Sequence, residues 1–186
     1  MASPRVLVPL AEGFEEIEAV TIIDVLRRAN LEVVTAGLAD GPVTGSHGIT
    51  LTPDESLDRA LERDYDMAVL PGGMPGAANL EADARVGNLL RRLAESERFT
   101  AAICAAPKVL AAAGLLEGRR ATSFPGFLDP AAVPGLELSE EAVVEDGTVI
   151  TSRGPGTALD FALTLVERLT GGETRRAVEG RLQRPR

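Results

Sequence analysis

Cys104 is the single cysteine among 186 residues, and its setting could make a sulfur reactive. It follows Thr100-Ala-Ala-Ile103, a run that predicts a short buried strand, and precedes Ala105-Ala106-Pro107, which predicts a first helical turn. A thiol at a helix start meets unpaired N–H groups and the positive end of the dipole, and both favour thiolate. The same residue also fits an inert, buried cysteine packing as a small hydrophobe. Two other stretches offer usable groups. Glu15 and Glu18 stand at the start of a predicted helix, where an acid can simply complement the dipole. Gly72-Gly73 follows the apolar run Met67-Ala-Val-Leu70, and a glycine pair lets backbone approach a ligand closely or makes a plain tight turn. His47, the only histidine, lies in a glycine-rich segment and reads as a solvated loop residue.

The elements that must position these groups alternate between strand and helix. Val6-Leu-Val-Pro-Leu10 predicts a buried parallel strand, one that Pro9 should end. Residues 15–29 predict a helix with acids in its first turn. Its apolar residues Ile17, Val20, Ile22, Ile23, Val25 and Leu26 surround most of the cylinder, so it should be covered on a second side by another subunit. A strand follows over 31–37, a hairpin over 41–53 and a short surface helix over 54–62. Helices are expected over 75–80 and 83–95, and a further strand over 119–123. Asp146-Gly147 between β-rich runs marks a hairpin over 142–151. Ser152-Arg-Gly-Pro-Gly-Thr157 opens a helix over 158–169, with Gly171 near its C-cap, and the charged tail is partly helical. The glycine-rich turn has neither the Walker pattern nor the dinucleotide fingerprint. This order predicts an α/β fold with a parallel sheet covered on both faces. Ligands then sit outside the carboxyl ends of the strands. Three loops fall there, residues 11–18, 71–75 and 104–107, and they would bring Glu15, Glu18, Gly72 and Gly73 to Cys104.

Composition bounds the partners. Hydrophobic residues make up 45% of the chain, enough for a core, and the net charge of -9 argues against nucleic acid and against an anionic membrane surface. A lone cysteine excludes an internal disulfide, which suits the cytoplasm, and no apolar run of ~20 residues is present. The length suits one domain over 1–186.

Gly13-Phe-Glu-Glu-Ile-Glu-Ala19, Val69-Leu-Pro-Gly-Gly73, Ala101-Ala-Ile-Cys-Ala-Ala-Pro107 and Thr151-Ser-Arg-Gly-Pro-Gly-Thr157 together resemble the ThiJ/PfpI superfamily, in the branch of the parkinsonism-associated deglycase and YajL-like proteins. The resemblance runs in order along nearly the whole chain. It implies a flavodoxin-like three-layer sandwich, helices on both faces of a mostly parallel sheet, in a homodimer. It also implies roles. Cys104 is the oxidisable nucleophile and Glu18 the acid that hydrogen-bonds it. Gly73 and Ala105 supply backbone donors for a substrate oxygen, and Glu15, Gly72, Phe124, Gly154 and Pro155 line the pocket. Arg28 and His47 fall near basic groups of the dimer surface. No cofactor and no metal are implied. Several members of the branch place a histidine where this chain has Phe124, so no Cys-His dyad is expected. A carboxylate beside a thiolate is a like-charge pair, so one of Glu18 and Cys104 should hold a proton.

The function expected is cofactor-independent detoxification of reactive dicarbonyls such as methylglyoxal, or deglycation of their early adducts on amines. The alternative is an oxidative-stress-sensing chaperone or regulator working through oxidation of Cys104.

Overall fold

The structure, a computed structural model, describes residues 3–184; the outermost residues of the expected 1–186 domain lie outside the described residues. The chain runs β1 (Arg5–Leu10), α1 (Glu16–Arg28), β2 (Glu32–Gly37), β3 (Val43–Thr44), β4 (Thr50–Leu51), β5 (Glu55–Ser56), α2 (Leu57–Ala60), β6 (Met67–Leu70), α3 (Gly76–Ala82) and α4 (Ala84–Glu95). It continues through β7 (Phe99–Ile103), α5 (Pro107–Ala112), β8 (Arg120–Ala121), β9 (Glu137–Leu138), β10 (Val143–Asp146), β11 (Val149–Ser152), α6 (Ala158–Thr170) and α7 (Gly172–Arg181). Seven strands form the central sheet in the order β10-β11-β7-β6-β1-β2-β5. All its pairings are parallel except β10 with β11. Asp146-Gly147 makes that one antiparallel turn, with Gly147 at φ +60°.

The sheet strands are apolar on both faces because both are covered. Val6, Val8, Met67, Val69, Ala101 and Ile103 pack with α1, α6 and α7, whereas Leu7, Ala68, Leu70 and Ala102 point the other way, into α2 to α5. The flavodoxin-like sandwich implied by the motifs is therefore the observed architecture.

Three local expectations are corrected. Pro9 does not end β1, which runs to Leu10. Its ladder with β6 covers only Val6 and Leu7, so farther along β1 pairs on its β2 side alone, and an imino residue is tolerated there. The 54–62 helix shrinks to one turn, because Glu55–Ser56 joins the sheet as edge strand β5. The 119–123 strand is only Arg120–Ala121 and pairs with β9 in a small separate ladder. Helix α1 leaves Ile17 58% and Val20 45% exposed on the side where a second subunit is expected.

β1, β6 and β7 lie side by side, and their carboxyl-end loops meet at the point where the winding of the sheet reverses. Ligands bind there in open α/β sheets.

Candidate active site

Cys104 sits at that crevice in a left-handed turn, φ +63°, a conformation that costs a non-glycine residue of order 1–3 kcal/mol. The turn is fixed from both sides. Cys104 N–H donates to Ser152 O at 3.0 Å, and Phe124 N–H donates to Cys104 O at 2.9 Å. Pro107 then starts α5 at its first position, as the sequence predicts. The strand-to-helix bend holds the side chain at the top of the sheet, with 8% of the residue exposed.

Three segments converge on the sulfur. Its own turn contributes the Ala105 N–H and the β6 loop the Gly73 N–H, both of which hydrogen-bond the sulfur when it is ionised. Helix α1 contributes Glu18, fully buried in its first turn. Gly72 N–H donates to Glu18 Oε2 at 2.7 Å. Glu18 Oε1 is buried with no partner among the described residues, so the Cys104 thiol is the proton-sharing neighbour left to the carboxyl. The glycine pair is required by this packing. A Cβ on Gly72 would stand 2.6 Å from Cys104 Cβ and 2.8 Å from Glu18 Oε2. Gly73 is at φ +89°, and a Cβ there would meet Glu15 N at 2.4 Å.

Electrostatics correct the thiolate expectation. Burial first, and then the charge and hydrogen bond of Glu18, push the Cys104 thiol up to about 12, against the pull of the Ala105 and Gly73 amides. Helix α5 has only six residues, so its dipole is too short to overcome desolvation. Burial likewise pushes Glu18 up to about 7, with Glu15's charge adding to it and the Gly72 amide and Cys104 opposing it. Each group resists ionisation while the other is charged, so the pair holds one negative charge readily and a second only at high pH. A carboxyl near 7 is matched to giving and taking protons at neutral pH.

Glu15 caps α1: its Oε2 accepts from Glu18 N at 2.8 Å, and its own N–H donates to Gly72 O at 2.9 Å. It thus braces both Glu18 and the glycine pair. The Phe124 ring packs edge-on to Phe127, with centroids 6.1 Å apart, and lies against Gly154, whose added Cβ would be 3.4 Å from Phe124 Cδ2. Pro155 begins the single turn of 3₁₀ helix over Pro155–Thr157, beside Gly154. Gly154 adjoins the Cys104 turn through Phe124, whose N–H donates to Cys104 O. Arg28 stays apart. It pairs with Asp24 at 2.5 Å, ten residues along α1 from Glu18 and so roughly 15 Å away.

One functional neighbour escaped the sequence reading. Glu16 is 4% exposed and docks the β3–β4 hairpin onto α1. Its Oε1 accepts from His47 N at 2.6 Å and Ile49 N at 3.3 Å, and its Oε2 lies 3.0 Å from His47 Nδ1. Burial works to raise its pKa, but the hydrogen bonds from the His47 side chain and the loop backbone win and lower it. His47 is accordingly an exposed ring tied to a buried acid. The only signal in the sequence was three acids within four residues.

Comparisons with known proteins show the family and the fold. The DJ-1/PfpI family matches residues 4–168. Parkinson disease protein 7 homolog of Danio rerio is 44% identical over 185 residues, 98% of either chain. Glutathione-independent glyoxalase DJR-1.2 of Caenorhabditis elegans is 38% identical over 171 residues, 92% of this chain and 90% of that protein. The chain spans a smaller part of Protein DJ-1 homolog B of Arabidopsis thaliana, 39% of its length at 44% identity. The crystal structure of Drosophila melanogaster DJ-1beta superposes with a TM-score of 0.92 at 39% identity, covering 100% of both chains.

Proposed function

The chain belongs to the DJ-1/PfpI family, and from that premise we propose that it converts reactive dicarbonyls to hydroxy acids, with Cys104 as nucleophile, Glu18 as acid and base, and no cofactor. The observation that carries the reading is the buried Glu18–Cys104 pair, with the Gly73 and Ala105 amides at the sulfur and burial pushing the carboxyl up to about 7.

With methylglyoxal the steps balance as follows. The Cys104 sulfur adds to the aldehyde carbon as Glu18 takes the thiol proton. The new oxyanion leans on the Gly73 and Ala105 N–H groups, as in an oxyanion hole. Glu18 returns the proton to that oxygen, giving a hemithioacetal, and is again a carboxylate. It then removes the C1 hydrogen, and the electron pair moves to C2 and its carbonyl oxygen. Reprotonation at C2, with the C1 hydroxyl proton passing to the C2 oxygen, leaves a thioester of lactate. Water cleaves the thioester, lactate departs and the sulfur regains its proton. C1 is oxidised and C2 reduced, so no outside electron carrier is needed. Deglycation would apply the same steps to a dicarbonyl already bound to an amine.

Glu15, Gly72, Phe124, Gly154 and Pro155 shape the pocket in this reading. Helix α1, through Ile17 and Val20, is the homodimer contact, the protein is a single domain, and its compartment is the cytoplasm. No described helix is long and apolar enough to cross a membrane. The named activity of the nematode relative supports the reaction class. Lactate production from methylglyoxal by wild type and Cys104→Ser tests it.

A second reading rests on the unpaired Glu18 Oε1. A protonated Glu18 would donate to a sulfinate oxygen on oxidised Cys104, which suits an oxidant-sensing chaperone or regulator. Intact-mass measurement after mild peroxide tests it: two added oxygens on Cys104 support it, and an unmodified thiol counts against it.

A further inference from the structure

The β3–β4 hairpin brings a third kind of chemistry to the edge of this site. Glu15, Glu16 and His47 each offer a ligand atom, and the three atoms lie within 4.8 Å of one another. His47 Nδ1 is 3.0 Å from Glu16 Oε2 and 4.0 Å from Glu15 Oε1. We propose that these three side chains form a binding site for a divalent transition-metal ion of the zinc class.

The two carboxylates are fixed in place before any ion arrives. Glu16 is held by the His47 and Ile49 amides through Oε1, which leaves Oε2 aimed at the imidazole. Glu15 is held through Oε2 by Glu18 N–H. Its side chain is nine-tenths buried, and its Oε1 accepts no hydrogen bond from the described residues while facing His47. Two carboxylates held this close repel each other, and a cation between them removes that repulsion. Gly45 lets the loop close over Glu16, since a Cβ there would stand 2.4 Å from the carboxyl. Ser46 Oγ lies 3.1 Å from His47 Nδ1 and 3.4 Å from Glu16 Oε2, close enough to hydrogen-bond a ligand or a bound water.

The donor set selects the ion. Zinc binds imidazole nitrogen and carboxylate oxygen at about 2.0–2.2 Å, so donors around one ion stand roughly 3–4 Å apart, the spacing of His47 Nδ1 from the two carboxylates here. A nitrogen ligand argues against magnesium and calcium, and the absence of sulfur among the three argues against copper(I). Three protein ligands leave a coordination position open, beside the dicarbonyl pocket that Glu15 borders. The ring of His47, with its side chain 72% exposed, can swing about 1 Å to complete the geometry without disturbing the core.

The test keeps Cys104 out of the competition. Untagged, metal-free Cys104→Ser protein is titrated with zinc chloride by calorimetry, and with cobalt(II) while visible absorption is read. The expected result is one ion per chain, with cobalt bands of a nitrogen–oxygen site. His47→Ala in the same background should weaken zinc at least about tenfold and remove the bands, its unfolding midpoint without metal being unchanged. Glu16→Gln should weaken zinc as well. A parent that takes up no zinc, or a His47→Ala protein that binds it as tightly as the parent, overturns the proposal.

Discussion

Glu18 reaches the Cys104 thiol from the first turn of α1, while Gly72 N–H grips its Oε2 at 2.7 Å. This contact joins two segments 86 positions apart in sequence. Burial raises both groups; the Glu18 charge raises Cys104 further, while the thiol's hydrogen bond pulls Glu18 down, so the proton between them is the working part of the site.

The thiol is expected to be sluggish until Glu18 is neutral. Glu18→Gln removes the charge that holds Cys104 up, so its alkylation by iodoacetamide should accelerate at fixed pH, with the rate–pH curve moving to lower pH. The rate measured from pH 6 to 10 checks this, and an unmoved or upward-moving curve contradicts the coupling.

Stability should carry the mark of the same carboxyl. Glu18 is raised from its ordinary value of 4.5 to about 7, so the folded state binds the extra proton. That contribution is fully present below about pH 4.5 and is lost as pH rises through 7. It amounts to about 3 kcal/mol for a buried group shifted this far. Denaturant unfolding of wild type should therefore weaken between pH 5 and 8 relative to Glu18→Gln. Parallel profiles for the two proteins would contradict the burial argument.

Gly72→Ala should cost roughly 1–3 kcal/mol by forcing a methyl between Cys104 and Glu18, and should abolish turnover. Gly156, beside which an added Cβ meets nothing within 4 Å, is the control, and Gly156→Ala should stay near wild type in thermal midpoint and rate.

The exposed residues of α1 should hold two copies together. Ile17→Asp with Val20→Asp is expected to give a folded monomer by light scattering where wild type is a dimer. An unchanged mass would place the contact elsewhere.

The sequence made legible what short-range chemistry dictates. Pro107 at a helix start, Asp146-Gly147 in a hairpin and Gly72-Gly73 after an apolar run each announce their geometry within a few residues. The four motifs placed Cys104, Glu18, Gly73 and Ala105 in one pocket before any coordinates. What escaped depended on packing across the chain. Burial is a property of the whole fold, so the upward shift of Cys104 could not be seen beside a local helix start. The Glu16–His47 contact closes over 31 positions, so a buried anchor looked like a dipole acid. The 119–123 strand left the main sheet because β11 already occupies the edge of β7.

The central claim is that Cys104, with Glu18 moving its proton, turns dicarbonyls over. The most direct measurement is lactate formed from methylglyoxal at pH 7 by wild type, Cys104→Ser and Glu18→Gln, all shown to be folded. Wild type should form lactate catalytically, Cys104→Ser should form none above the uncatalysed rate, and Glu18→Gln should lose at least about a hundredfold, the lower end of what a positioned proton-transfer group supplies. Equal lactate formation by wild type and Cys104→Ser would contradict the account.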